Sequence, residues 1–387
     1  AQNLDVIAAG ERIRQAQAEL RTTGVNAAAD GSLTGSVTTS GGDGTSGTST
    51  VESGSLGASL VIDLFGGIRR EREAAVASLT AARAEEETVR LAWLAELIAA
   101  YSDARYYQEA MALTRTAIAT REETVSITRS QFDAGAATEY EVAEAQALLS
   151  TARADLPQFA ALFDANVYAI ATLLNEPAGP IKAQMQKGAP QLSSPGGART
   201  GVPADLLRNR PDVRSAEADL AAAVANVGVA EAALYPALSL SGTVGRTDAT
   251  DAWSFGPQLS LPVFNQGLLK ASRDAQLSVA RQAEIAWRAS INEAVEDVQV
   301  AQSNLSRARQ RAQLLRTAAS DYSRALSLAQ ENYRNGAITL LNLLETDRNT
   351  NAARISAASA TNEAAQAWAT LKIATGAGAA VTGQPSN

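Results

Sequence analysis

The chain contains no histidine and no cysteine, and only two methionines in 387 residues. A Ser-His-Asp or Cys-His nucleophilic centre is therefore excluded, as are histidine- or thiolate-bound zinc and disulfides. A soft-metal chelating site lacks its ligands for the same reason. Basic charge is in deficit: 33 Lys and Arg stand against 41 Asp and Glu, a formal net charge of −8. Sequence-independent nucleic-acid binding needs a basic footprint, so nucleic acid is not an expected partner. No run of about 18 apolar residues occurs, so no transmembrane helix is expected, and no secretory signal is read. No clustered acidic motif and no phosphate-binding glycine motif stands out, so no metal or cofactor is expected and an enzyme is the weakest class. The chain begins at Ala1 already inside a helical pattern, which implies that a native beginning precedes it. The absence of cysteine fits a periplasmic or extracellular setting.

What is present is written twice. Phe132-Asp133-Ala134-Gly135-Ala136-Ala137-Thr138 returns as Tyr333-Arg334-Asn335-Gly336-Ala337-Ile338-Thr339. Upstream, Ser59-Leu60-Val61-Ile62-Asp63-Leu64-Phe65 answers to Gln258-Leu259-Ser260-Leu261-Pro262-Val263-Phe264. Near the start, Asp5-Val6, Ala9 and Ile13 answer to Asp212-Val213, Ala216 and Leu220. Matches in the same order at a nearly constant offset describe two copies of one supersecondary unit. Each copy reads as helix, two strands, long helix, turn, long helix. The expected division is a first repeat over 1–176, a proline- and glycine-rich linker over 177–203, a second repeat over 204–376 and a tail over 377–387. The linker is either a belt outside the helices or a tether, and sequence does not choose between them.

The long helices are expected over about 68–133, 139–175, 268–334 and 340–375. No proline or glycine interrupts 68–133 or 268–334. Leu91, Leu94, Ile98 and Tyr101 lie on one helical stripe, as do Ile291, Val295, Val298 and Leu305. A helix of some 65 residues is about 100 Å long. Periodic patterns of this length fit a coiled-coil or adhesin rod as well as a helical barrel.

Strands separate the two. Four segments alternate with period two, at about 31–40, 53–64, 238–246 and 255–263. Leu33 and Val37, Leu56 and Leu60, Leu238 and Leu240, and Phe255 and Leu259 mark one face. Ser, Thr, Gly and Gln mark the other, which is the pattern of an outer-membrane barrel strand. A half-buried globular strand reads the same way. The Gly/Ser/Thr-rich segment 40–50 is expected to be a flexible loop, and a second hairpin is expected to cross from Arg246 to Trp253. Trp253 and Phe255 suit either an interfacial aromatic girdle or an ordinary buried pair. Four strands cannot close a membrane barrel, and lipid tolerates no open edge, so spanning strands require several chains in one barrel.

The segment Gly201-Val202-Pro203-Ala204-Asp205-Leu206-Leu207-Arg208-Asn209-Arg210-Pro211-Asp212-Val213 carries a family resemblance. So do Gly228-Val229-Ala230-Glu231-Ala232-Ala233-Leu234-Tyr235-Pro236, Phe255-Gly256-Pro257 and Leu261-Pro262-Val263-Phe264-Asn265-Gln266-Gly267. In this order they closely resemble the TolC-like outer-membrane efflux proteins, particularly the branch that partners resistance-nodulation-division (RND) pumps. The resemblance covers essentially the whole chain. It implies an α+β membrane protein and a homotrimer in the outer membrane of a Gram-negative bacterium. Each chain would lend four strands to a 12-stranded barrel continuous with a long α-helical barrel in the periplasm. A periplasmic adaptor and an inner-membrane RND pump are the implied partners. The implied role is passive conduction of drugs or other small toxic compounds, gated at the periplasmic tip. An exit channel of type I protein secretion is the alternative within the family. One departure is Ala29, which stands where the second repeat has Pro236.

The same resemblance implies site residues. The turns Phe132, Asp133, Ala134, Gly135 and Tyr333, Arg334, Asn335, Gly336 would meet the adaptor. Glu345 matches the acidic residues that narrow the closed pore in family members, while Asn342 holds an amide where a carboxylate is common. Glu141 and Glu144 are their counterparts in the first repeat. Asp347 and Arg348 are candidates for a salt-bridge latch between neighbouring helices. A solvated helix face explains each of these carboxylates equally simply.

Overall fold

A computed structural model describes residues 2–41, 47–195 and 210–377. In chain order the elements are α1 (Leu4–Arg21), α2 (Val25–Ala28), β1 (Ala29–Ser40), β2 (Ser49–Ile62), α3 (Gly67–Asp133), α4 (Glu139–Leu174) and α5 (Ala178–Met185). They continue as α6 (Pro211–Ala232), β3 (Ala237–Thr247), β4 (Thr250–Ser260), α7 (Gln266–Arg334) and α8 (Leu340–Ala374). The order helix, strand pair, long helix, returning helix occurs twice, as the sequence repeat requires. No described helix is long and apolar enough to cross a membrane.

The compact units do not follow the repeats. One unit holds residues 1–7, 88–210 and 293–387, and the other holds 8–87 and 211–292. Each draws on both repeats, because corresponding elements of the two copies pack beside each other.

The second unit carries the sheet, an antiparallel meander in the order β1-β2-β3-β4. Its central pairing joins the two repeats, with Leu56 opposite Val244 and Leu60 opposite Leu240. Leu33 faces Leu56, and Val244 faces Trp253, so apolar side chains line up across all four strands. Strand β1 is exposed on both faces along its whole length. The final strand ends at Ser260 rather than near 263, because Pro262 has no N–H for the ladder. The β3–β4 hairpin is tighter than the Arg246–Trp253 crossing expected from sequence. Thr247 pairs with Thr250, and Asp248 takes a left-handed φ of 51° in a two-residue turn. Asp248 also accepts a 3.0 Å hydrogen bond from the Glu52 N–H of the other hairpin. Ser40 pairs with Ser49, so both strands of the first hairpin extend into the expected 40–50 loop; residues 42–46 lie outside the described residues. Below the sheet, Gly67 lets the start of α3 approach α6, where an added Cβ would sit 3.2 Å from the Ala232 Cβ.

The first unit is helical. Small residues dominate its core: Ala104, Ala110, Ala152, Ala294 and Ala360 are all nearly inaccessible. Helices α3 and α4 enclose Phe163, Val167 and Ile170, with Ile181 and Met185 of α5 completing the cluster. Helix α4 runs on through Pro157 despite the missing donor. The segment after α4 is docked rather than loose. Arg105 and Gln108 both donate to the Met185 carbonyl at 3.1 Å, and Lys182 pairs with Asp164 at 2.8 Å. Farther on, Gln191 donates to the Ala358 carbonyl of α8, and Arg309 of α7 donates to Ser194. Residues 178–195 thus lie against both helical hairpins, in the manner of a belt. Residues 196–209, including most of the motif before Arg210, lie outside the described residues.

Candidate functional site at the hairpin tips

Two helical hairpins meet at one end of the first unit, and the repeated heptapeptides form their turns. Gly135 and Gly336 take φ of 74° and 70°, the left-handed region that a Cβ disfavours. In the first turn Ala136 donates to the Gln131 carbonyl and Gly135 to that of Phe132. In the second, Ala337 donates to Asn332 and Gly336 to Tyr333. Both are the paired closure that ends a helix with a left-handed glycine. The returning helices then start on threonine caps, Thr138 and Thr339.

The caps differ. Glu141 reaches back to the Thr138 N–H at 2.7 Å and the Thr138 hydroxyl at 2.9 Å, closing a reciprocal capping box. Its carboxylate is therefore engaged in holding the start of α4. Asn342 has the equivalent place, and there the contact is its backbone N–H on the Thr339 hydroxyl, at 3.4 Å.

The turns differ too. Phe132 is exposed, whereas its counterpart Tyr333 is buried. The Tyr333 hydroxyl meets Thr128 at 3.0 Å and donates to Gln131 at 2.8 Å, tying the second hairpin to the first. Burial pushes the Tyr333 phenol above its ordinary value; the Thr128 hydrogen bond opposes this and the Glu141 charge adds to it. Around it, Leu326, Leu340, Leu343 and Leu344 pack with Ala145 and Leu148. Asp133, Ala134, Gly135, Arg334, Asn335 and Gly336 are exposed, and Arg334 pairs with Glu123.

Asp347 and Arg348 are both candidates by sequence for a bridge between neighbouring helices, with no partner named for either. Asp347 faces inward and is buried, and its partner is Arg121 of α3, Nε to Oδ2 at 2.6 Å. Arg121 is equally buried and donates also to the Leu148 carbonyl of α4, at 3.3 Å. One guanidinium therefore joins α3, α4 and α8. Arg348 points outward, into a cleft that it shares with Asp155 and Asn351. Arg121 was absent from the sequence reading, although a signal existed. Thr114, Ala117, Arg121, Thr124 and Thr128 are all buried at alternating spacings of three and four, so the arginine sits on the inward stripe of α3. Glu345 is exposed and Glu144 half-exposed. No group of three or more acidic residues among the described residues is placed to hold a metal ion.

Comparison with known proteins agrees with this architecture. The family model for outer membrane efflux proteins matches residues 1–176 and 202–377. Nodulation protein T of Rhizobium leguminosarum bv. trifolii is 37% identical, over 97% of this chain and 83% of that protein. The pyoverdine export outer membrane protein OpmQ of Pseudomonas aeruginosa is 32% identical over 90% of this chain and 77% of its own. Among solved structures, the outer-membrane channel OprN superposes with a TM-score of 0.89 at 28% identity, over 97% of this chain and 88% of that one. A doubled fold, a four-stranded sheet and a match across both repeats lead to one assignment: the chain belongs to the outer membrane efflux protein family, the TolC-like channels of the outer membrane.

Proposed function

We propose that this outer-membrane efflux channel works as a homotrimer and as the exit duct of a tripartite pump. Three chains contribute four strands each to one 12-stranded barrel, and their helices form the tunnel beneath it. A periplasmic adaptor and an inner-membrane RND pump load the duct with drugs or other small toxic compounds; the duct itself is passive. The observation that carries the reading is the sheet. It has an apolar face, a hydroxyl-rich face and, within the chain, no partner for the outer edges of β1 and β4 among the described residues. An edge of this kind is not tolerated in hydrocarbon, so further copies must pair with it.

Gating is proposed at the tips. Glu345 is exposed on α8, two residues before the buried Asp347, and in a trimer gives three carboxylates around the axis, with Asn342 about one turn nearer the tip. Such rings favour cations. Glu141 is the weaker gate candidate because its carboxylate closes the cap of α4. Glu144 stands half-exposed behind it. The exposed turn residues Phe132, Asp133, Ala134, Arg334 and Asn335 are the proposed adaptor surface. Asp347 acts as an internal tie through Arg121, which leaves Arg348 as the outward member able to latch a neighbouring chain.

Planar-bilayer recording tests the reading. Discrete conductance steps are expected, and Glu345→Ala should raise conductance and weaken block by multivalent cations. An inserted trimer whose Glu345→Ala variant conducts and is blocked as the parent is would remove Glu345 from the gate. A protein that never inserts would overturn the channel itself.

A further inference from the structure

The sheet has two chemically opposite faces, and its register assigns every strand residue to one of them. Leu33, Leu56, Val244 and Trp253 form one row of the apolar face, and Ala29, Leu60, Leu240 and Pro257 another. On the reverse, Ser32, Gly57, Thr243 and Ser254 lie across from one another. Hydroxyls there pair between strands: Thr34 with Ser55 at 2.9 Å, Ser36 with Ser53 at 2.8 Å and Thr243 with Ser254 at 2.7 Å. Alternation of this kind puts the hydroxyl face toward a water-filled lumen.

Charge is distributed unevenly between these faces. Glu52, Arg246 and Asp251 belong to the apolar face, gathered at its hairpin end, where Arg246 pairs with Asp251 at 3.7 Å. The hydroxyl face carries a single charged side chain among the described strand residues, Asp30. It is the second residue of β1, directly after α2, in a row completed by Ser59, Ser241 and Gly256. No cation neutralises it within the described residues of the chain. Small neighbours leave its carboxylate open to the lumen; a Cβ built at Gly256 would meet nothing within 4 Å.

We infer that Asp30 sets the charge preference of the barrel lumen. One carboxylate from each copy forms a ring at the end of the barrel where the helices begin, drawing cations in preference to anions. This selectivity element is separate from the tip residues, and it rests on the barrel proposed above. Among the described strand residues this face carries no other charge, so no second ring offsets it there. Three carboxylates about 10 Å from the axis enrich cations roughly fourfold at ~0.01 M salt, and hardly at all at ~1 M, where the screening length is near 3 Å.

These 387 residues hold no cysteine, so an introduced thiol is the only one among them. Reversal potentials under a potassium chloride gradient are measured for the parent and for Asp30→Asn in bilayers at low and at high salt. The cation-to-anion permeability ratio should fall severalfold at low salt and stay unchanged at 1 M. Asp30→Cys should react with a membrane-impermeant thiol reagent, a cationic reagent lowering the ratio further and an anionic one restoring it. Leu33→Cys, on the apolar face, should resist the same reagent. A conducting Asp30→Asn channel with the parent ratio at low salt overturns the inference and leaves the channel intact. An unreactive Asp30→Cys does the same. A parent protein that never inserts into the bilayer would instead defeat the barrel reading and this inference with it.

Discussion

Replacing Asp347 by alanine should be among the most damaging single changes in the helical unit. Asp347 and Arg121 are each more than nine-tenths buried, joined at 2.6 Å. Removing the carboxylate leaves a guanidinium that cannot be neutralised by deprotonation. One carbonyl contact remains to it, from Leu148 at 3.3 Å. Breaking one side of a buried ion pair costs about 3–5 kcal/mol. At roughly 2–4 °C per kcal/mol for a body of this size, the melting temperature should fall by roughly 6–20 °C. The double variant Arg121→Met/Asp347→Leu removes both charges together and should recover most of that loss, because a buried pair is about as stable as an apolar replacement of similar volume. Arg153→Ala serves as the exposed control. Its bridge to Glu122 is half-exposed, so less than about 1 kcal/mol is expected. Thermal melts followed by far-ultraviolet circular dichroism would read all four proteins. An Asp347→Ala protein melting with the control would refute the argument, and so would a double variant no better than the single one.

Four further outcomes follow from the tips. Glu141→Ala removes the capping box of α4 and should cost about 1 kcal/mol, while Asn342→Glu should stabilise α8 by completing the missing half of its box; chemical denaturation measures both. Gly336→Ala meets no neighbour, so its cost is the left-handed backbone alone, about 1–2 kcal/mol, read from the same melts. Tyr333 has a raised phenol pKa, so the unfolded chain ionises first as pH rises. Its contribution is complete below about pH 10 and is lost as pH climbs through the folded value. Tyr106 and Tyr107 shift the same way, so Tyr333→Phe should flatten the alkaline loss of stability in a pH-dependent melt without abolishing it.

Periodicity and repetition made the long elements legible. Uninterrupted alanine-rich stretches, two left-handed glycines and matching heptapeptides leave little freedom in where α3, α4, α7 and α8 begin and end. The strands were legible in kind but shifted at their ends. Alternation marks a strand, whereas its limits depend on pairing: Pro262 stops β4 early, and Asp248 closes the hairpin earlier than the spacing suggested. The side-chain partnerships were not legible. Asp347 and Arg348 are both latch candidates by sequence, but neighbouring helix positions point about 100° apart, so only one of them can face inward. The true partner of Asp347 lies 226 residues away. In the same way, Phe132 and Tyr333 occupy equivalent places in the repeat, yet the tyrosine is buried against Thr128 and the phenylalanine is exposed. Docking of 178–195 across both hairpins uses hydrogen bonds to the Met185 and Ala358 carbonyls, which no sequence pattern announces.

The central claim is that several chains must share one barrel, and the mass of the protein in detergent tests it most directly. Native mass spectrometry of the micelle-solubilised protein should give three times the 40.2 kDa chain mass. A single chain, stable in detergent with its sheet intact, would contradict the account.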